Sequence, residues 1–203
     1  MILQDYRSMD EVHNIGGFLC VQKTLQIMLQ QEPRPMPAAG RPTGPSPRHM
    51  SRGSIVILTS FASEGAFLGV RNYISAKHAV KEPVQTAGKR VHNILPNDCE
   101  DRRTRQRIQI ALENARKLIR INAVAPSYVS GPMINKYLEE VPALKTTMLG
   151  DLAIGRFVDP EEVADAVAFF LTSASASYIN GYTLTVDGGS SLHLANTPFR
   201  MNN

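Results

Sequence analysis

Tyr73 and Lys77 stand four positions apart in a stretch that reads as helix, so their side chains share one face within contact range. A free phenol ionises near pH ~10, too high for a base at neutrality. An adjacent ammonium favours the phenolate and makes tyrosine a usable general acid/base. The spacing alone does not decide, because a chain with this many tyrosines and lysines contains such a pair by chance roughly one time in five. Position adds to it. Ser60 lies 13 residues before Tyr73, where an apolar run ends. At the carboxyl edge of a parallel sheet, a hydroxyl can donate to a carbonyl oxygen as negative charge develops on it. Taken singly, Ser60 is as well explained as a strand-ending residue, and Asn14 as a capping or packing amide.

These residues need elements to hold them. Residues 9 to 30 read as an amphipathic helix, with Ile15, Phe18, Leu19, Leu25, Met28 and Leu29 at three- and four-residue steps and Gln22 as the polar break. Between residues 32 and 52, prolines 33, 35, 37, 42, 45 and 47 remove amide donors, which predicts a loop with neither helix nor sheet. Ser54–Thr59 is a short, mostly β-branched run, expected to be a strand buried on both faces. Residues 73 to 87 predict a helix that Pro83 should kink or end. A helical pattern resumes over 108 to 118, and Ile119–Ala125 predicts a second strand stopped by Pro126. Asp159-Pro-Glu-Glu162 is a strong helix start, with an N-cap residue, a proline at the first position and acidic side chains at the positive end of the dipole. Tyr182–Val186 alternates β-formers and meets the turn signal Asp187-Gly-Gly189. Helices alternating with strands imply an α/β fold with a parallel sheet.

The 203 residues fit one domain. The net charge of +4 gathers in two local segments, 34 to 52 and 89 to 107, rather than over one face. The cluster Arg102, Arg103, Arg105 and Arg107 lacks interleaved aromatics and reads as a solvated loop, so no nucleic-acid partner is expected. Cys20 and Cys99 cannot form a disulfide framework, no apolar run reaches membrane length, and no signal-peptide pattern opens the chain. A soluble, cytoplasmic protein with no membrane partner is expected, and no metal site is read.

Ser60, then Tyr73-Ile-Ser-Ala-Lys77, then Arg120-Ile-Asn-Ala-Val-Ala-Pro126, closely resembles the short-chain dehydrogenase/reductase family. Gly155-Arg156 with Pro160-Glu-Glu-Val-Ala164, Phe170-Leu-Thr-Ser173, and Ser177-Tyr-Ile-Asn-Gly181 with Val186-Asp-Gly-Gly189 follow in family order. The resemblance implies hydride transfer between NAD or NADP and a small alcohol or ketone. In it Tyr73 would move the proton, and Lys77 would support the phenol and bind the nicotinamide ribose. Ser60 would polarise the carbonyl. Asn14 would hold a water in a relay to the lysine, and Val129 would offer its backbone to the carboxamide. A homo-oligomer is a further implication.

Against that pattern the chain shows departures. The family's Gly-x-x-x-Gly-x-Gly turn, its cofactor selector and its Asn-Asn-Ala-Gly strand do not occur in the sequence. The expected fold is therefore the C-terminal part of a Rossmann-like, doubly wound parallel sheet without its first strands. It would form a single incomplete catalytic domain over 1–203, with insertions at about 32–52 and 88–110. Such a polypeptide is expected to bind NAD(P) weakly, with activity impaired. The alternative is a non-enzymatic remnant that acts through subunit association. Locally, Ser127 replaces the glycine after Pro126, and Gly131 stands where a threonine would contact the cofactor. The segment 131–152 carries Met133, Ile134, Tyr137, Leu138, Leu144, Met148 and Leu149, which suits an apolar substrate.

Overall fold

The computed structural model describes residues 3–36, 50–64, 70–85 and 110–192. Helix α1 (Leu3–Met9) runs into a π-helical segment, Asp10–Ile15, and continues as α2 (Gly16–Met28). A small antiparallel ladder joins β1 (Arg34–Pro35) to β2 (Met50–Ser51). Strand β3 (Gly53–Leu58) leads through a single 3-10 turn, Phe61–Ser63, towards α3 (Arg71–Gln85). Then come α4 (Ile110–Ala115), β4 (Ile119–Pro126), α5 (Pro132–Glu140), α6 (Leu144–Gly150), α7 (Pro160–Thr172) and β5 (Thr183–Val186). The sheet order is β3-β4-β5, with both pairings parallel. The α/β class and the parallel sheet are as the sequence implies.

Strand β4 is the centre of the molecule. Its period-two alternation divides the core: Ile119, Ile121 and Ala123 meet Val21 and Leu25 of α2, while Val124 meets Val163 and Phe170 of α7. Ile119 and Ile121 are fully buried, and burial on that scale stabilises by about 1.5–3 kcal/mol per side chain. Asn122, also fully buried, clips the incoming last strand to the sheet. Its amide donates to the Ile179 carbonyl at 3.0 Å, and its oxygen accepts the Tyr182 N–H at 3.1 Å. Leaving any of these groups unpaired inside would cost about 1–3 kcal/mol. Pro126 then ends the strand, since it has no N–H to donate.

Several local readings need correction. The helix starts at Leu3, and its buried stripe is Val21 and Leu25 with half-buried Asn14, Phe18 and Met28; Ile15, Leu19 and Leu29 are exposed. That stripe keeps helical spacing, and the π segment upstream sets which residues point inward. The proline-rich segment does carry sheet, the two-residue ladder between β1 and β2. Such a ladder tolerates Pro35 because it is short and at an edge. The interior of 37–49 lies outside the described residues. Helix α3 continues to Gln85, two positions past Pro83. Strand β3 is half-buried rather than enclosed: among the described residues it pairs with β4 alone, and Leu58 is 53 % exposed. The polar insertion expected at 88–110 falls almost wholly outside the described residues.

Candidate active site

Ser60 sits immediately past the carboxyl end of β3, where Thr59 still donates its N–H to the Val124 carbonyl at 2.9 Å. Its backbone is extended, and its Oγ accepts the Ala62 N–H at 3.2 Å, capping the 3-10 turn. Ser63 Oγ donates back to the Ser60 carbonyl at 2.6 Å. Both bonds fix the buried Ser60: the second uses its backbone carbonyl, and the first uses only the acceptor side of its hydroxyl, the one hydroxyl bond seen among the described residues. The hydroxyl proton is left to be donated. Helix α3 is held against this turn by Lys81, which pairs with Glu64 and reaches the Ser63 carbonyl at 3.4 Å.

On α3, Lys77 Nζ lies 5.5 Å from the centroid of the Tyr73 ring. That is cation–π range, set by the four-residue helical step. The Lys77 side chain is buried, and burial lowers its pKa from the ordinary lysine value. No carboxylate among the described residues forms an ion pair with it.

The π segment brings the first helix to the same place. Asn14 donates to Asp10 Oδ1 at 2.9 Å, and its neighbour His13 sets its ring edge-on to Tyr73, with centroids 5.9 Å apart and planes at 88°. Tyr6 and Ser75 share a 2.8 Å hydrogen bond between the same two helices. A π turn inserts one residue into the helical repeat, and such turns recur at functional sites. His13, Asn14, Gly17, Phe18, Val21, Ile57, Val80 and Ile121 line a small cleft of about 30 Å³ between the first helix, the sheet and α3. Its floor is apolar, and its two polar residues stand at the Tyr73 end.

Val129 lies beyond β4 in a parallel bridge to Val158. The two bonds of that bridge use the Tyr128 carbonyl, at 2.9 Å, and the Ser130 N–H, at 2.8 Å. Val129's own N–H and carbonyl are therefore turned to the opposite side. Beside it, Tyr128 packs edge-on to both Phe61 and Phe157, at centroid distances of 5.0 and 6.4 Å. Burial together with the nearby Asp151 carboxylate pushes the Tyr128 phenol up to about 12.

The structure thus joins Tyr73 and Lys77 directly, brings the Asn14 helix against them through His13, and places Ser60 on the turn that α3 packs against. It leaves Val129 at the carboxyl edge of the neighbouring strand. Sequence reasoning passed over His13, the Lys81–Glu64 pair and the aromatic group around Tyr128. Each depends on residues distant in sequence, and the one available signal was the juxtaposition of His13 and Asn14.

The family model described as Enoyl-(Acyl carrier protein) reductase matches residues 107–191. The chain is 35% identical over 190 residues to the short-chain dehydrogenase RED2 of Pyricularia oryzae, covering 93% of this chain and 57% of that protein. Among solved structures, a putative 2-deoxy-d-gluconate 3-dehydrogenase from Agrobacterium tumefaciens with bound NADP is similar at 28% identity, with a TM-score of 0.54, over 70% of this chain and 47% of that one. A gluconate 5-dehydrogenase from Burkholderia cenocepacia, in complex with NADP and tartrate, shares the fold at 22% identity, with a TM-score of 0.69, over 96% of this chain and 59% of that one. The chain accordingly spans somewhat over half the length of the curated relative it matches.

Proposed function

The chain belongs to the short-chain dehydrogenase/reductase family, and from that premise we propose that it carries the proton-transfer face of an NAD(P)-dependent oxidoreductase acting on a small alcohol or ketone. The observation that carries the reading is the buried Lys77 ammonium, 5.5 Å from the Tyr73 ring and without a carboxylate partner among the described residues. A structural lysine is normally exposed or paired, whereas a buried unpaired one is destabilising and needs another reason to be there.

In the reductive direction, Tyr73 Oη gives its proton to the substrate oxygen. Lys77 stabilises the negative charge left on the phenol, an electrostatic role that burial strengthens. Ser60, held as an acceptor by Ala62, donates its hydroxyl proton to the same substrate oxygen. Asn14, whose side chain is locked to Asp10, would hold a water that returns a proton towards Lys77. The outward N–H and carbonyl of Val129 fit a carboxamide, and Lys77 would bind the ribose hydroxyls of the nicotinamide half. When bound, NAD(P) supplies the hydride. The aromatic side chains Phe61 and Tyr128 border the Ser60 turn and favour an apolar carbonyl.

The test is carbonyl reduction by the purified chain, followed as loss of NAD(P)H absorbance with a panel of ketones, beside the Tyr73→Phe variant. Removing the proton donor should lower turnover by about 10²–10⁴-fold with circular dichroism unchanged. Equal turnover in the two proteins rules the mechanism out.

One observation favours a second reading. Val12, Ile15, Leu19 and Ile27 expose apolar surface along the first helix. This suits a chain that acts by associating with another subunit, without catalysis of its own. Co-purification with an intact paralogue, in a sample that shows no turnover, would favour it.

A further inference from the structure

We propose that His13 is a proton-responsive positioning residue for the Tyr73–Lys77 pair: neutral, its imidazole braces the phenol ring, and protonated, it sets a second cation against the Lys77 ammonium and releases that brace. The proposal rests on the reading of Tyr73 as the proton donor. It starts from geometry. The π segment turns His13 towards α3, where it meets Tyr73 edge-on at 5.9 Å, on the ring that Lys77 approaches to 5.5 Å. Two elements, the π segment and α3, thereby meet at one phenol. An edge-to-face aromatic pair is attractive beyond its buried area and so favours one ring orientation.

The charge argument follows. Burial first, and the Lys77 ammonium second, hold the His13 pKa below its ordinary value of 6.5, so the ring is neutral at physiological pH. Among the described side chains, the other charged groups on the turn and on the elements packed against it are Asp10 and Glu11 on the turn itself, Asp5 and Arg7 on α1, Lys23 on α2, and Arg71, His78 and Lys81 on α3. Asp10 is engaged by Asn14, and Lys81 by Glu64. Lys77 is the charge that acts on His13. Coupling is reciprocal, so a proton on His13 disfavours the Lys77 ammonium by the same free energy. Lys77 keeps its proton over the range where His13 titrates, so protonation of His13 sets two cations against one ring and their repulsion loosens the imidazole from Tyr73.

The experiment is an NMR titration of the whole chain, labelled on histidine and tyrosine rings. Tyr73 Cζ is assigned with Tyr73→Phe, and His13 with His13→Phe. The wild-type Tyr73 resonance should show a step at the His13 midpoint, below pH 6.5. His13→Phe keeps an aromatic edge but cannot titrate, and the step should vanish. Lys77→Met should move the His13 midpoint up. A Tyr73 resonance with no step, a step that persists in His13→Phe, or a His13 midpoint unmoved in Lys77→Met each overturns the proposal. Should His13→Phe fail to fold, His13→Gln gives the same contrast. None of these readouts needs turnover. Full carbonyl reduction by Tyr73→Phe would sink the functional reading while leaving the titration result standing, so the two failures are separable.

Discussion

Lys77 is held inside the protein at a cost, and that cost is measurable. Its ammonium is desolvated, its pKa is lowered from 10.5, and no carboxylate among the described residues neutralises it. The folded chain therefore binds this proton less tightly than the unfolded chain. Stability should rise as pH climbs from the lowered folded value towards 10.5, because over that window the unfolded state carries more protons. Lys77→Met keeps the length of the side chain and removes the charge. It should leave stability unchanged or higher by up to roughly 1 kcal/mol, while abolishing the alkaline rise and lowering carbonyl reduction. Denaturant melts of both proteins across the alkaline range check this; a clear loss of stability in Lys77→Met would show that the ammonium has a structural partner. The Tyr73–Lys77 relation was legible in the sequence because a four-residue helical step fixes it locally. The contact of His13 with Tyr73 was not, since it depends on how two helices 60 residues apart cross.

Helices and strands were legible where one local rule suffices. The Asp159 start is an example: its N–H donates to Glu162 at 2.9 Å, and Arg156 pairs with the same carboxylate at 2.8 Å, holding it down at about 2. The π segment was not legible, because an extra residue in a helical repeat leaves the amphipathic pattern almost intact and shows only as a shift of the buried stripe. The exposure of β3 was missed for a related reason: an apolar run signals burial, but which faces are covered depends on neighbouring strands. Helix α5 offers a direct test at this scale. Gly131 precedes it with φ of 163°, an extended backbone open to any residue, and has no side chain with which to cap the first turn. A Cβ there meets nothing within 4 Å. Gly131→Ser should raise stability by about 0.5–1 kcal/mol, through a new N-cap bond and a stiffer unfolded chain, and should raise the melting temperature. An unchanged melting temperature would mean that the first-turn amides of α5 are already satisfied in another way.

At the scale of the whole molecule, the two ends of a dinucleotide meet different surfaces. On the proposed reading, the nicotinamide end would meet Lys77 on α3, the outward backbone of Val129 and the Ser60 turn, the last two at the carboxyl edge of β4 and β3, where ligands sit in open parallel sheets. The pyrophosphate carries most of the charge, and it needs a close approach of backbone amides that only a glycine-rich turn at a helix start allows. No Gly-x-x-x-Gly-x-Gly occurs within these 203 residues. Affinity for the whole cofactor should therefore come mainly from its nicotinamide half. Calorimetry on the folded, monodisperse chain should give an NADPH dissociation constant weaker than ~1 μM, within about tenfold of that for reduced nicotinamide mononucleotide, a difference of about 1.4 kcal/mol. Submicromolar NADPH binding, or a preference for the dinucleotide of a thousandfold, would require a phosphate cradle in this chain that its glycines do not supply. Lys77→Met should weaken both ligands alike, since the contact it removes belongs to the half they share.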